Sequence, residues 1–160
     1  MPAIQSILIP VPEAEPLVEH FRRAGDWSSG HGIPAHLTIA GPWPLATRIP
    51  ERALRELCSQ IRGERYALSA IGTLGDALCL FPEDDRALVH WRERILTAVG
   101  TSDETDAGWR MHLTVSRGLA PPAVRTIEAS IVPALPLHCE IDHLVIARRD
   151  ADSRVTLQTL

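Results

Sequence analysis

Hydrophobic and polar residues follow two different periods along this chain. Short apolar and β-branched runs bounded by glycine, proline or acidic residues predict strands, with the ranges 3–11, 35–41, the two arms of 66–83 on either side of Gly75-Asp76, 110–118, 137–150 and 154–160. Apolar residues at three- and four-residue spacing predict helices over 13–25, 49–63, 84–100 and 121–135. Turn-forming or acidic residues predict loops at 26–34 and 101–108.

The order of these elements predicts the fold class. Strands that alternate with helices but also form hairpins indicate an α+β fold with a mainly antiparallel sheet. A strand, a helix and a hairpin follow one another over 36–83, and the same order returns over 112–160. We therefore expect a single domain, residues 1–160, with two pseudo-symmetric lobes, helices outside and a central cleft.

The first strand of each repeat carries the same tetrapeptide. Residues 36–39 read His-Leu-Thr-Ile and residues 112–115 read His-Leu-Thr-Val; we expect the first of these strands to stop at Gly41, Pro42 and Pro44. Because side chains alternate between the two faces of a strand, the histidine and threonine of each copy share one face and the leucine points to the other. Two such polar faces, opposed across a cleft, would form a site with two histidines and two threonines.

Two imidazoles and two hydroxyls suit phosphoryl chemistry. One histidine can take a proton from the attacking oxygen while the other gives a proton to the leaving oxygen, since the imidazole pKa is about 6.5. The threonine hydroxyls can donate hydrogen bonds to non-bridging phosphate oxygens. Arg117 would add a cation, but strict alternation turns it away from Thr114, so its participation requires a strand end or a bulge over 116–118.

Composition limits the ligands. The formal net charge is −4 with the histidines neutral, and no basic face is visible, which argues against a long nucleic acid as partner. A small phosphorylated ligand needs only one or two local cations. The sequence has no H-x₃-H, HExxH or Cys/His cluster that would predict a metal site, and no GxxxxGK[ST] or GxGxxG loop that would predict a nucleotide cofactor.

Cysteine usage and the first residues bear on the compartment. Cys58, Cys79 and Cys139 are odd in number and lack CxxC spacing, so we expect reduced thiols in a cytoplasmic protein. Residues 1–12 lack the basic and long apolar regions of a signal peptide, and no stretch approaches the roughly 20 apolar residues of a membrane span. A monomer is the default expectation.

The segments GIPAHLTIAGPW and HLTVSR resemble the two signature motifs of the 2H phosphoesterase superfamily, which includes 2′-5′ RNA ligase-like proteins and cyclic nucleotide phosphodiesterases. The resemblance covers nearly the whole chain. It implies a bilobal fold and metal-independent cleavage or formation of phosphodiester bonds in nucleotides, often at a 2′,3′-cyclic phosphate. It also implies that His36, Thr38, His112 and Thr114 are catalytic, with His112 as the base toward water and His36 as the acid toward the leaving 3′ oxygen.

Further residues are candidates for substrate contact. Trp43 can stack on a base or pack between two prolines, and His31 and Trp109 lie beside the two motifs. The first motif is followed by Ala40-Gly41, without the aromatic that many family members have there, which favours a small nucleotide or RNA end over a tRNA-sized substrate. Two alternatives stay open: reversible 2′-5′ RNA ligation at the same site, and a non-catalytic module that binds nucleotides or cyclic phosphates.

Overall fold

The computed structural model describes residues 2–101 and 109–160. The strands are β1 (Ile4–Pro10), β2 (His36–Pro44), β3 (Arg65–Leu74), β4 (Ala77–Pro82), β5 (Leu113–Arg117), β6 (Leu137–Glu140), β7 (Val145–Arg149) and β8 (Val155–Thr159). The helices are α1 (Glu15–Gly25), α2 (Trp27–Gly30), α3 (Glu51–Ile61), α4 (Arg86–Val99) and α5 (Pro121–Ile131). Apart from Thr101, the loop predicted over 101–108 lies outside the described residues.

The strands form one eight-stranded sheet in the order β6-β3-β4-β5-β2-β1-β7-β8. Neighbouring strands pair antiparallel. The two motif strands meet at the centre of the sheet, where Leu37 of β2 lies opposite Leu113 of β5. We call β2, β1, β7 and β8 the first lobe, and β5, β4, β3 and β6 the second lobe. The predicted α+β class with a mainly antiparallel, two-lobed sheet is confirmed.

The two lobes do not coincide with the two sequence repeats. The β3–β4 hairpin follows the first motif strand in sequence, but β4 pairs with β5. The β7–β8 hairpin follows the second motif strand, but β7 pairs with β1 beside β2. Each lobe therefore combines the motif strand of one half of the chain with the hairpin of the other half.

β2 continues through the residues that were expected to stop it, and that boundary prediction was wrong. Beyond Leu37, the described pairing of β2 is with β1 alone. The strand is an edge on its other side there, so the missing N–H groups of Pro42 and Pro44 cost little. Gly41 adopts a φ of +94°, and the pairing with β1 shifts register around it.

Two other element predictions differ from the structure. The predicted loop 26–34 contains the short helix α2, because the Asp26 carboxylate accepts a hydrogen bond from the Ser28 N–H and caps it. The predicted strand 137–150 is divided into β6 and β7. The chain must cross from β3 in the second lobe to β1 in the first, so no single strand can serve both partners.

One face of the sheet packs against the helices and forms the core. Leu37, Ile39, Leu113 and Val115 are fully buried there, together with residues such as Leu54 of α3. The leucines of both tetrapeptides therefore face the core as predicted, which leaves the opposite face for the histidines and threonines. Within residues 2–101 and 109–160, no helix has the length and hydropathy needed to cross a membrane.

Candidate active site

A cavity of about 330 Å³ lies over the polar face of the two motif strands. His36 and Thr38 reach it from β2, Thr114 from β5, and His112 from the residue immediately before β5. The structure thus brings the four residues of the two tetrapeptides to one cavity. The segment 26–33, which includes α2, forms part of the cavity wall.

Both histidines are fixed in the same way. The Nδ1 atom of His36 lies 2.7 Å from the carbonyl oxygen of Pro34, and the Nδ1 atom of His112 lies 2.7 Å from the carbonyl oxygen of Arg110. A carbonyl oxygen can only accept a hydrogen bond, so each Nδ1 must carry the proton and donate it. In its neutral form each ring then has a free lone pair on Nε2, which can exchange a proton with a ligand.

Each motif strand contains a bulge directly after its threonine. In β2, Thr38 lies opposite Leu8 and Ala40 opposite Ile7, so Ile39 is the extra residue. In β5, Thr114 lies opposite Cys79 and Ser116 opposite Leu78, so Val115 is the extra residue. Because such a bulge adds one residue, each side chain after it points to the opposite face from the one that strict alternation predicts.

The second bulge explains how Arg117 reaches the cavity. Val115 and Ser116 are both buried, which breaks strict alternation, and Arg117 consequently lies on the same side as Thr114 and lines the cavity. The bulge lies one residue earlier than the sequence analysis required. The half-exposed guanidinium donates from Nη1 to Asp76 Oδ1 at 3.1 Å, which anchors it to the β3–β4 turn.

The first motif has no arginine at the matching position. By the same count from the tetrapeptide, Gly41 stands where the second motif has Arg117. A side chain there would place its Cβ 3.0 Å from the backbone oxygen of Gln5, and the φ of +94° favours glycine. Of these two matching positions, the one in the second motif alone brings a cation to the cavity.

Arg22 supports the cavity wall, and the sequence analysis missed it. Its side chain is 1% exposed. It donates to Asp26 Oδ2 at 3.1 Å, Ser28 Oγ at 2.9 Å, the Ile33 carbonyl oxygen at 2.9 Å and Glu19 Oε2 at 3.0 Å. These bonds tie the cavity-wall segment 26–33 to α1. Nothing in the helical pattern of 13–25 marked an arginine as buried.

The surroundings of His36 lower its pKa. Burial is the largest cause, because it penalises the charged imidazolium; the positive charges of Arg22 and His112 act in the same direction. The hydrogen bond to Pro34 and the carboxylate of Asp26 oppose them. His36 is therefore a neutral proton acceptor at neutral pH, with its lone pair on Nε2.

Three aromatic candidates from the sequence lie elsewhere. Trp43 is 6% exposed within the core and does not line the cavity. Two bulges lie between Leu37 and Trp43, one at Ile39 and one at Gly41-Pro42. Their effects on side-chain direction cancel, so Trp43 faces the core and Pro42 lines the cavity instead. Trp109 packs on the core under the Arg92 guanidinium, 4.0 Å from its ring centre. The structure therefore removes Trp43 from the candidate site.

His31, the third of these candidates, stacks on Trp27 at 4.1 Å between ring centres. Trp27 itself lines the cavity and is 41% exposed. The sequence analysis missed it, although an aromatic residue in a turn-rich loop before a motif is a usable signal. In the part of the chain that the structure describes, no group of three or more His, Cys, Asp or Glu side chains is placed to hold a metal ion.

Comparisons with known proteins agree with the geometry. The model of the 2′-5′ RNA ligase superfamily matches residues 10–153. E. coli LigT in complex with 3′-AMP has 16% identity and a TM-score of 0.60, covering 100% of this chain and 96% of that chain. LigT with NADP+ has 18% identity, a TM-score of 0.60 and the same coverage. A further structure, of a phosphoesterase, has 16% identity and a TM-score of 0.59, covering 99% and 96%.

At these identities the solved structures establish the fold, and no match to a curated protein was found. The family match establishes more than the fold, because it extends over most of the chain and includes both tetrapeptides. This chain therefore belongs to the 2′-5′ RNA ligase superfamily, whose members are 2H phosphoesterases.

Proposed function

We propose that this protein is a phosphodiesterase that opens 2′,3′-cyclic phosphates of a small nucleotide or RNA end by two-histidine acid–base catalysis without a metal ion. The observation that supports this best is the matched pair of imidazoles in one cavity. Each ring donates Nδ1–H to the carbonyl oxygen two residues before it, and each keeps Nε2 for a ligand.

The proposed reaction balances through the two imidazoles. One neutral histidine takes a proton from water as the water oxygen bonds to phosphorus. The bond from phosphorus to one ribose oxygen breaks, and the second histidine, in its charged form, gives that oxygen a proton. The products are a nucleoside monophosphate and an enzyme with its proton on the other ring, and exchange with solvent restores the starting state.

The structure favours one assignment of the two roles. Burial and neighbouring positive charges lower the pKa of His36, and the base must be neutral when water attacks. We therefore assign His36 as the base and His112 as the acid in hydrolysis. This is the reverse of the roles that the family resemblance implied.

Threonine and arginine side chains would stabilise the transition state. Thr38 and Thr114 line the cavity beside the histidines and can donate hydrogen bonds to the non-bridging oxygens, where negative charge increases. Arg117 can add a charge-assisted hydrogen bond from the second lobe. Its bond to Asp76 holds the guanidinium in place while leaving other N–H groups for the phosphate.

The size and charge of the site support a small substrate. The cavity of about 330 Å³ lies at the low end of the range for small-molecule sites. The net charge of −4 disfavours a long polyanion. LigT, which shares the fold, has been solved with 3′-AMP, ATP and NADP+.

Hydrolysis of the four 2′,3′-cyclic nucleotides in excess chelator tests this proposal. We expect turnover by the parent protein and none by the His36→Ala/His112→Ala double variant. His138→Ala is a matched control, because His138 is exposed on β6 and does not line the cavity. Loss of turnover in chelator, or equal turnover by the double variant, would contradict the proposal.

Reversible 2′-5′ RNA ligation is the second candidate, favoured by the family match. It uses the same residues and the same direction of proton transfer, because a 5′-hydroxyl group replaces water as the nucleophile that attacks the cyclic phosphate. Incubation with an RNA ending in a 2′,3′-cyclic phosphate and an RNA with a 5′-hydroxyl distinguishes the two. A joined product would assign ligation, and a 2′- or 3′-phosphate end would assign hydrolysis.

A further inference from the structure

We propose that Arg149 and Trp27 form a second subsite in the same cavity, which binds the phosphate adjacent to the one that reacts. The identity of the reacting group in this inference rests on the proposed function. The preferred ligand is then a nucleotide with two phosphoryl groups, such as the 5′-phosphorylated terminal nucleotide of an RNA, rather than a nucleoside with one.

The cavity extends across the first lobe, away from the reaction centre. Leu8 on β1 lies opposite Thr38 on β2, and Ile4 on β1 lies opposite Arg149 on β7. Leu8, Ile4 and Arg149 all line the cavity. Arg149 is therefore two strands away from Thr38 and four residues further along, roughly 17 Å between Cα atoms at standard strand spacing and rise.

The space between these two ends is apolar. Leu8, Ile33, Val145 and Ala147 form a separate cluster on this face of the sheet, with Val155 packed against it. Most of these side chains also line the cavity. Such a surface suits the sugar and base of a nucleotide, so the two polar ends are left for its charged groups.

Arg149 is a cation with unused hydrogen-bonding capacity. Its Nη2 donates to the Pro2 carbonyl oxygen at 3.1 Å. Its Nε is buried and has no hydrogen-bond partner, and no carboxylate of the described residues lies within ion-pair distance of the guanidinium. The buried Nε is out of reach of a ligand, but the remaining N–H groups of Nη1 and Nη2 can donate charge-assisted hydrogen bonds to an anion.

The neighbouring Arg148 shows that this state is specific to Arg149. The Arg148 side chain donates to Gln158 Oε1 at 2.6 Å and to Glu51 Oε1 at 3.3 Å. Its charge is therefore already compensated by a carboxylate. Both arginines line the cavity, but Arg148 is paired with Glu51, whereas Arg149 has no carboxylate partner among the described residues.

Trp27 adds an aromatic surface beside this cation. Its ring centre is 5.1 Å from the Arg149 guanidinium carbon. The ring is exposed at the cavity, and the Arg22 hydrogen bonds to Asp26 and Ser28 on either side of it hold its helix in place. A guanidinium next to an indole is a favourable combination for a nucleotide, since the first binds phosphate and the second contacts the base or sugar.

Binding of two adenosine phosphates tests the inference without requiring turnover. Calorimetry with adenosine 3′-phosphate and adenosine 3′,5′-bisphosphate gives the affinity ratio that the second phosphate contributes. We expect the bisphosphate to bind about tenfold or more tightly to the parent protein, as for a charge-assisted hydrogen bond. In Arg149→Gln the ratio should fall to about one, and Trp27→Leu should weaken the binding of both ligands.

Arg154→Gln is the matched control, since it removes the same charge from a nearby residue that is 78% exposed and paired with Asp152. It should leave the affinity ratio unchanged. A ratio near one in the parent protein, or a full ratio in Arg149→Gln, would overturn the inference. A preference that follows the identity of the base instead of the second phosphate would also overturn it.

The same proteins, tested for turnover of 2′,3′-cyclic AMP, separate this inference from the proposed function. Turnover with an affinity ratio near one would mean that the reaction centre is assigned correctly and the second subsite is not. If the affinity ratio is as expected but no cyclic nucleotide is turned over, the second subsite would be supported and the proposed reaction would be wrong.

Discussion

The two motif strands have the same structure around their histidines, but they differ in the residues that lie four and five positions after each histidine. In both, Nδ1 is bonded to the carbonyl oxygen two residues earlier, and a bulge follows the threonine. In β5 the bulge delivers Arg117 to the cavity, whereas in β2 the corresponding residue is Gly41. The cavity wall of segment 26–33 also belongs to the first motif.

The features that the two motifs share would serve proton transfer, and the features in which they differ would serve substrate binding. The proposed proton transfers need two imidazoles with free Nε2 atoms, and the geometry that fixes the ring is repeated in both motifs. Substrate binding needs a direction, because a nucleotide has unlike ends. In the proposed reaction, Arg117 on one side of the cavity and the wall with Trp27 on the other would supply that direction.

Replacing one histidine at a time should have the largest effect on kcat and should show that the two motifs have different roles. We expect His36→Ala and His112→Ala each to lower kcat by about 10²- to 10⁴-fold on a 2′,3′-cyclic nucleotide. A cyclic substrate whose leaving ribose oxygen is replaced by sulfur needs no proton on departure. It should restore activity to His112→Ala but not to His36→Ala, and the opposite pattern would restore the roles implied by the family resemblance.

Replacing one threonine at a time should lower kcat by a similar factor in the two motifs. Thr38→Val and Thr114→Val keep the side-chain shape and remove the hydroxyl, and each should lower kcat by about 10²- to 10³-fold with a small change in KM. Steady-state kinetics on the same substrate measure this. Thr126→Val on α5 is a control away from the cavity. An effect below about threefold in either variant would remove that hydroxyl from the transition state.

Replacing Arg117, which only the second motif has, should lower activity less than replacing the histidines or threonines that both motifs share. Arg117→Gln should lower kcat/KM by about 10- to 100-fold, as expected for loss of a hydrogen bond to a charged group. Asp76→Asn, which leaves the guanidinium but loosens its anchor, should have a smaller effect in the same direction. If Arg117→Gln retained full kcat/KM, the arginine would be a surface residue paired with Asp76.

The smallest expected effect concerns the pKa of His36. The Asp26 carboxylate raises this pKa, so Asp26→Asn should lower it further, and the removal of Asp26 also leaves the positive charge of Arg22 less compensated. A base with a lower pKa remains neutral to lower pH, so the acidic limb of kcat/KM should move to lower pH. NMR titration of the His36 ring in both proteins checks the direction, and a shift to higher pH would contradict it.

The part of the site formed by the two tetrapeptides could be predicted from the sequence, because it depends on local rules. Strand alternation alone places the histidine and threonine of each tetrapeptide on one face. The position of Trp43 in the core depends on two bulges between it and Leu37, and these show only in the pairing of β2 with β1. Arg117 needed the bulge, which shows only in the pairing of β5 with β4.

The rest of the site depends on distant pairing. Arg149 enters the cavity because β7 lies beside β1, and the sequence repeats favour the opposite arrangement, with β7 beside its own motif strand. Arg22 is buried because segment 26–33 folds back on α1. Neither fact follows from periodicity within a single element.

The exchanged hairpins have a consequence for the order in which the protein can assemble. β1 is synthesised first, yet it pairs with β7, which is synthesised almost last. The second lobe needs residues up to β6, and β3 and β4 can pair early as a local hairpin. Because contacts between distant residues form slowly and late, His36 should acquire its finished surroundings only once β7 and β8 have left the ribosome. Until then the first lobe lacks the strand that carries Arg149.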